Sequence, residues 1–237
     1  MPIAVDGVWD ESEAERLDID ASDAETSFKV AHKRSLGAAQ MEFGIDYRTK
    51  KREIDHTYYE FAAGNEGDPV VYELDTTIGS LIEETRIDPY LMFSGDLGVM
   101  AWEAGLRYET TDSDIESSQD GDAIRVCKDY NELLPSLHLK WDLTDADRIS
   151  LSLAGSIKRP DFNEMIPAVL DGEYGDNDYI GNPHLDPETA NGLDLGYERR
   201  LGKRGVVGVN FFYRDIKNLI ELVNTGEPSD EMIGTWE

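Results

Sequence analysis

The stretch LHLKWDLTDADRISLSLAGSIK, Leu137–Lys158, decides the fold. Leu137, Leu139, Trp141 and Leu143 occupy one parity; His138, Lys140 and Asp142 occupy the other. A period of two places these sets on opposite faces of an extended strand, which a helix would not do. After Thr144–Arg148, whose Asp145 and Asp147 suit a turn, Ile149, Leu151, Leu153, Gly155 and Ile157 alternate with Ser150, Ser152, Ala154, Ser156 and Lys158. The two segments read as a hairpin.

The same pattern recurs outward from this hairpin. Ala39, Met41, Phe43, Ile45 and Tyr47 oppose Gln40, Glu42, Gly44, Asp46 and Arg48. Trp102, Ala104, Leu106, Tyr108 and Thr110 oppose Ala101, Glu103, Gly105, Arg107 and Glu109, and Leu193, Leu195 and Tyr197 oppose Asp194, Gly196 and Glu198. Pro89 interrupts the segment Thr85–Phe93, and Phe28–Arg34 separates its faces poorly, so both are weaker strand signals.

Alternation alone is compatible with a soluble acidic β-sandwich that binds carbohydrate or cations, and with a membrane barrel whose apolar face meets lipid. Connection lengths favour the barrel. Short ones near Ser35, Gly95, Thr144–Arg148 and Leu201–Gly205 alternate with long polar ones at Arg52–Glu83, Thr111–Asp129 and Arg159–Pro187. Outer-membrane barrels pair short periplasmic turns with long extracellular loops in this way, and their strands need roughly 9–11 residues to cross. The fold class read from the sequence is therefore all-β, an antiparallel up-and-down transmembrane β-barrel, partial, with about eight strands of a larger one. Residues 1–22 read as an acidic loop or disordered segment, 23–220 as barrel strands with long extracellular loops, and 221–237 as the start of a further loop. A Lys or Arg facing lipid near the midplane costs about 2–4 kcal/mol, so Lys140 and Arg107 are expected in the lumen, with Trp141 and Leu106 outward.

The chain carries 22 Lys and Arg against 50 Asp and Glu, a net charge of -28. Such a surface repels nucleic acid. The acidic excess reads either as solvation or as a vestibule that concentrates a metal chelate. The single Cys127 forms no internal disulfide and reads as a partly buried small residue near a strand start. No apolar run is long enough for a transmembrane helix, and MPIAVDGVWDESE lacks the charged and apolar regions of an export signal, which is expected to lie outside these residues.

Signals for catalysis are thin. His32, His56, His138 and His184 stand far apart, with no HExxH, no GxSxG and no Cys pair, so no catalytic residue, metal site or cofactor is assigned. His138 reads as a lumen-facing strand residue. Chance pairs of carboxylates are too common in this composition to signal a glycosidase. The segment YGDNDY contributes Tyr174, Asp176, Asn177, Asp178 and Tyr179 as candidate ligand contacts in a long loop, where recognition residues often sit.

The order LLPSL (Leu133–Leu137), KRPDF (Lys158–Phe162), GNPHLDPE (Gly181–Glu188) and DLGYERR (Asp194–Arg200) resembles the late barrel of TonB-dependent outer-membrane receptors. WEAGLRYETT (Trp102–Thr111), MEFGIDYRTKKRE (Met41–Glu53) and FFYRDIKNLI (Phe211–Ile220) resemble further strands of that family. The resemblance implies active uptake of a scarce ligand, a siderophore or other metal chelate or an oligosaccharide, in the bacterial outer membrane. Its implied partners are outer-membrane lipid, a small-molecule ligand, and a TonB complex that would be reached only through segments outside these residues. It implies a receptor rather than an enzyme. A plug domain and a barrel of about 22 strands belong to the family pattern, so the chain is expected to be part of a receptor.

Overall fold

The computed structural model describes residues 4–5, 8–9, 15–62, 71–119, 121–170, 178–226 and 233–236. Short strands β1 (Ala4–Val5) and β2 (Val8–Trp9) pair with each other. Six long strands follow: β3 (Glu15–Leu36), β4 (Ala39–Ala62), β5 (Val71–Leu97), β6 (Met100–Gln119), β7 (Asp122–Asp142) and β8 (Asp147–Lys158). The connection after β8 holds α1 (Phe162–Met165), β9 (Val169–Leu170) and β10 (Asp178–Ile180). The remaining strands are β11 (Glu188–Leu201), β12 (Gly205–Lys217), β13 (Leu222–Asn224) and β14 (Ile233–Trp236).

The long strands form one eight-stranded antiparallel meander in the order β12-β11-β8-β7-β6-β5-β4-β3. Among the described residues, the outer edges of β3 and β12 are unpaired, so the sheet is an open wall. The expectation of about eight strands from a larger barrel agrees with this architecture.

Register explains why one face is apolar. Met41 pairs with Phe93, Phe93 with Ala104, Ala104 with Leu137, Leu137 with Leu153, Leu153 with Leu193, and Leu193 with Tyr213. A single hydrogen-bonding row thus carries apolar side chains across seven strands. Neighbouring rows hold Phe43, Leu91 and Leu106, then Trp102, Leu139, Leu151, Leu195 and Phe211. None of these side chains is buried, and many are exposed (Phe43 45%, Leu106 46%, Leu195 46%, Phe211 58%), whereas Asp88 and Glu109 on the opposite face are buried. That is the inverse of a water-soluble sheet, whose apolar face packs on a core. Burying one Leu or Phe side chain is worth about 1.5–3 kcal/mol, so a belt of this size requires lipid, and the sandwich alternative fails. Trp141 and Leu106 point outward, Arg107 inward to Asp88 and Glu109, and Ser152 hydrogen-bonds the inward His138 at 2.9 Å.

The belt's upper limit runs through Tyr47, Ile87, Tyr108 and Leu133, about ten residues above the short turns, as a crossing strand requires. Above it the strands continue, and the expected long loops Arg52–Glu83 and Thr111–Asp129 are mostly strand. The reason is a change of phase. On β4 the outward odd residues are apolar up to Tyr47, but beyond Arg52 the apolar residues are the inward Ile54 and Tyr58. β5 likewise turns from outward Ile87 and Leu91 to inward Ile78 and Ile82, and β6 from outward Leu106 to inward Ile115. A single-phase pattern search loses the strand at this point.

Three further expectations are corrected. β3 begins at Glu15, inside the segment 1–22 read as a loop, because it pairs with β4 along its whole length and its acids meet cations there. Residues 222–224 and 233–236 are strands rather than loop, joined in a small sheet with β10 and β9. Pro89 lies within β5: it aligns with Ile45 of β4, while the ladder to β6 skips from Ile87–Thr110 to Tyr90–Arg107, which accommodates the missing N–H. Cys127 is exposed, not partly buried, and its thiol donates to Asp114 Oδ1 at 3.7 Å.

Candidate functional site

Above the belt, the inner face of β4–β6 supports a folded cap. Ile54, Tyr58, Ile78, Ile82 and Ile115 from the wall pack with Met165, Ile166 and Ala168 from the β8–β11 connection, and Phe162 and Tyr179 lie against this cluster. The α1 turn is closed at its start by Asp161 N–H donating to Glu164 Oε2 at 2.7 Å. The GNPHLDPE segment buttresses it: Gly181 N–H donates to Ile166 O at 2.9 Å and Asn182 N–H to Glu164 O at 2.7 Å. A Cβ on Gly181 would collide with the Ile166 backbone, so only glycine allows this approach. Lys128 of β7 holds the same segment, pairing with Asp186 at 2.8 Å and donating to His184 O at 2.6 Å and to Leu185 O.

Beside the cap lies a cleft of about 980 Å³, bounded by β3, β4, β5 and Arg159–Glu164. Its wall is a ladder of inward charges. Arg52 grips Asp23 with two hydrogen bonds of 2.7 and 2.9 Å, approaches Asn163 Oδ1 at 3.5 Å and lies 5.5 Å from the Phe162 ring centre. That fork holds the Asp23 carboxyl below its usual range. Glu25 faces Arg48 at 3.5 Å and Lys50 at 3.9 Å. Deeper, Arg86 bridges Asp88 at 2.9 Å and Glu109 at 3.6 Å, while Arg159 pins the root of the cap to Glu109 and reaches Thr111 Oγ1 at 3.4 Å.

Five acids (Asp23, Glu25, Glu84, Asp161, Glu164) and five cations (Lys50, Lys51, Arg52, Arg86, Arg159) line the cleft. The acidic vestibule considered from composition is therefore not here. The outward strand surface above the belt carries acids instead, at Glu53, Asp55, Asp112, Asp114 and Glu116. A charge-balanced cleft with Phe162 and Tyr179 at its side can hydrogen-bond a ligand through fixed donors and acceptors and pack its apolar faces, without selecting on net charge.

Of the candidate contacts read from the loop, Tyr179 lines the cleft, and burial against the cap pushes its hydroxyl up in pKa. Asp178 lies in β10, with its backbone opposite Ile233. Tyr174, Asp176 and Asn177 lie outside the described residues. Sequence reasoning missed Asp23, Arg52 and Arg159. A signal existed: counting back from the Leu36–Ala39 turn pairs Asp23 with Arg52 and Glu25 with Lys50. Among the described residues, no group of three His, Cys, Asp or Glu side chains is placed to hold a metal, and no helix is long and apolar enough to cross a membrane, which leaves strand crossing untouched.

The sequence profile of the Outer membrane protein beta-barrel family matches residues 6–235. Three solved structures share the fold. The ferric yersiniabactin uptake receptor FyuA from Yersinia pestis superposes with a TM-score of 0.59 at 14% identity, over 90% of this chain and 31% of its own. The ferric citrate transporter FecA, in its unliganded form, gives 0.57 at 17% identity, over 88% of this chain and 29% of its own. The ferric-catecholate import receptor Fiu from K12 E. coli gives 0.50 at 14% identity, over 89% of this chain and 33% of its own. The chain thus spans about a third of the length of these receptors.

Proposed function

The chain belongs to the Outer membrane protein beta-barrel family, and from that premise we propose that it is part of a TonB-dependent receptor taking up a scarce ligand across the outer membrane. The ligand is a metal chelate or an oligosaccharide, and the cleft between the β3–β5 wall and the cap lies on its route. The observation that carries this reading is the inversion of the wall: apolar outside for lipid, charged inside, with a built cleft above the belt where extracellular ligand arrives. Energy would come from an inner-membrane TonB complex through other parts of the receptor. The chain acts by binding, and no reaction is assigned to it.

Support for the ligand route comes from residue chemistry. Arg52 is held by Asp23 yet remains partly exposed, so it presents a fixed donor, and Tyr179 and Phe162 supply flat apolar surface. Detergent-solubilised protein should be titrated with a ferric hydroxycarboxylate, a ferric catecholate and a linear oligosaccharide. One class is expected to bind, and Tyr179→Ala and Arg52→Gln should each weaken it by roughly tenfold, the effect of losing about 1.4 kcal/mol. Binding that neither substitution changes, in variants with wild-type heat-modifiable migration, would remove the cleft from the route.

A further inference from the structure

Charge is placed unevenly along the wall. At the short-turn end, the β11–β12 connection reads RRLGKRG, Arg199–Gly205: four cations within six residues, and no acid, in a chain of net charge -28. The other short turns, Gly37–Ala38, Gly98–Val99 and Leu143–Ala146, contain no cation. Local acids satisfy part of this cluster. Arg199 pairs with Asp147 at 3.1 Å, and the nearby Arg148 pairs with Asp142, beside which Arg200 also lies. Lys203 and Arg204 are exposed and have no ion-pair partner among the described residues.

Position supplies the second, independent observation. The turn closes the strands whose outward row is Trp141, Ile149, Tyr197 and Val209, the lowest complete row of the apolar belt. On the outward face Leu201 and Val207 flank it and are themselves 56% and 52% exposed. The cations therefore stand where acyl chains give way to headgroups, and short turns mark the periplasmic side of such barrels. Aromatic side chains at this level prefer the interface, and Lys or Arg beside them meet phosphates.

We propose that Lys203 and Arg204 form a binding site for the phosphodiester of an anionic inner-leaflet phospholipid, with Leu201 and Val207 resting against its acyl chains. This inference rests on the turn and the belt, and is independent of which ligand the cleft takes.

The test uses the protein in zwitterionic detergent, titrated with phosphatidylglycerol, phosphatidylcholine or inorganic phosphate, with bound lipid counted by native mass spectrometry. Phosphatidylglycerol should bind best, more weakly at high salt, and K203Q/R204Q should weaken it about tenfold, as expected for two cations near an anionic surface. K203R/R204K should retain binding and serves as the control for fold. Equal binding of phosphatidylglycerol by wild type and K203Q/R204Q, or equal binding of phosphatidylcholine, would overturn the site. Inorganic phosphate displacing the lipid at matched concentration would identify a free-anion site and overturn the lipid assignment.

Discussion

Tyr90 lies over Gly44, its cross-strand partner, and the two form a single packing unit on the inner wall. A Cβ on Gly44 would meet the Tyr90 ring at 2.8 Å and Val30 O at 2.5 Å. The ring is held from both ends: its hydroxyl donates to Glu42 Oε1 at 2.8 Å, and Arg107 and Lys29 sit 5.5 and 5.0 Å from its centre. Glycine here is a seat for an aromatic side chain whose other contacts are charged.

Gly44→Ala should therefore destabilise the folded wall by about 1–3 kcal/mol, the usual consequence of overpacking. Urea titration of the heat-modifiable form measures it. Because the clash involves Tyr90, Gly44→Ala with Tyr90→Ala should cost less than the sum of the two single changes. Strict additivity would mean that the ring is not seated on the glycine.

Parity gives a sharper test. Leu153 faces outward in the row between Leu137 and Leu193, whereas Ser152 faces inward beside His138. Leu153→Arg should cost about 2–4 kcal/mol in lipid, and Ser152→Arg much less. Comparing folding yields into vesicles for the two variants decides; equal losses would refute the assignment of faces.

The root of the cap depends on a buried ion pair. Arg159 meets Glu109, which is itself buried and also faces Arg86 and Arg107. Arg159→Met should loosen the cap by roughly 3 kcal/mol or less, since the remaining arginines still answer part of the Glu109 charge. Arg159→Met with Glu109→Met should recover part of that loss. Limited proteolysis between α1 and β11 reads the effect, and unchanged cleavage in Arg159→Met would exclude the pin.

His56 sets a pH dependence. It is buried beside Tyr58, stacked at 6.3 Å between ring centres, and desolvation lowers its pKa. The unfolded imidazole takes up a proton near pH 6.5, while the folded one resists it. Between the lowered folded value and about 6.5 the unfolded state binds more protons, so stability is complete above 6.5 and falls as pH drops through that window. His56→Gln should flatten this slope. The comparison is of thermal midpoints at pH 5.5 and 7.5 in both proteins; an identical slope would show that His56 does not contribute.

How much was legible follows from where the physics is local. Within the belt, each strand repeats a period of two, and lipid on one side rewards the same parity on every strand, so Leu137–Lys158 and its relatives could be placed outward or inward by inspection. The turn-counted register even pairs Asp23 with Arg52. Above Tyr47, Ile87 and Tyr108 the apolar residues move to the inner face, because water lies outside and the cap lies inside; the alternation persists, but its phase reverses, and residues read as loop are strand.

The residues by themselves determined the antiparallel wall, its lipid-facing side, and the inward placement of Arg107 and His138, since each follows from the two-residue repeat and the cost of charge in hydrocarbon. Tertiary structure alone decided the cleft. Arg52, Phe162, Arg159 and Tyr179 converge only because the β8–β11 connection folds back onto Ile54, Ile78 and Ile115, contacts separated by scores of residues that no local pattern encodes.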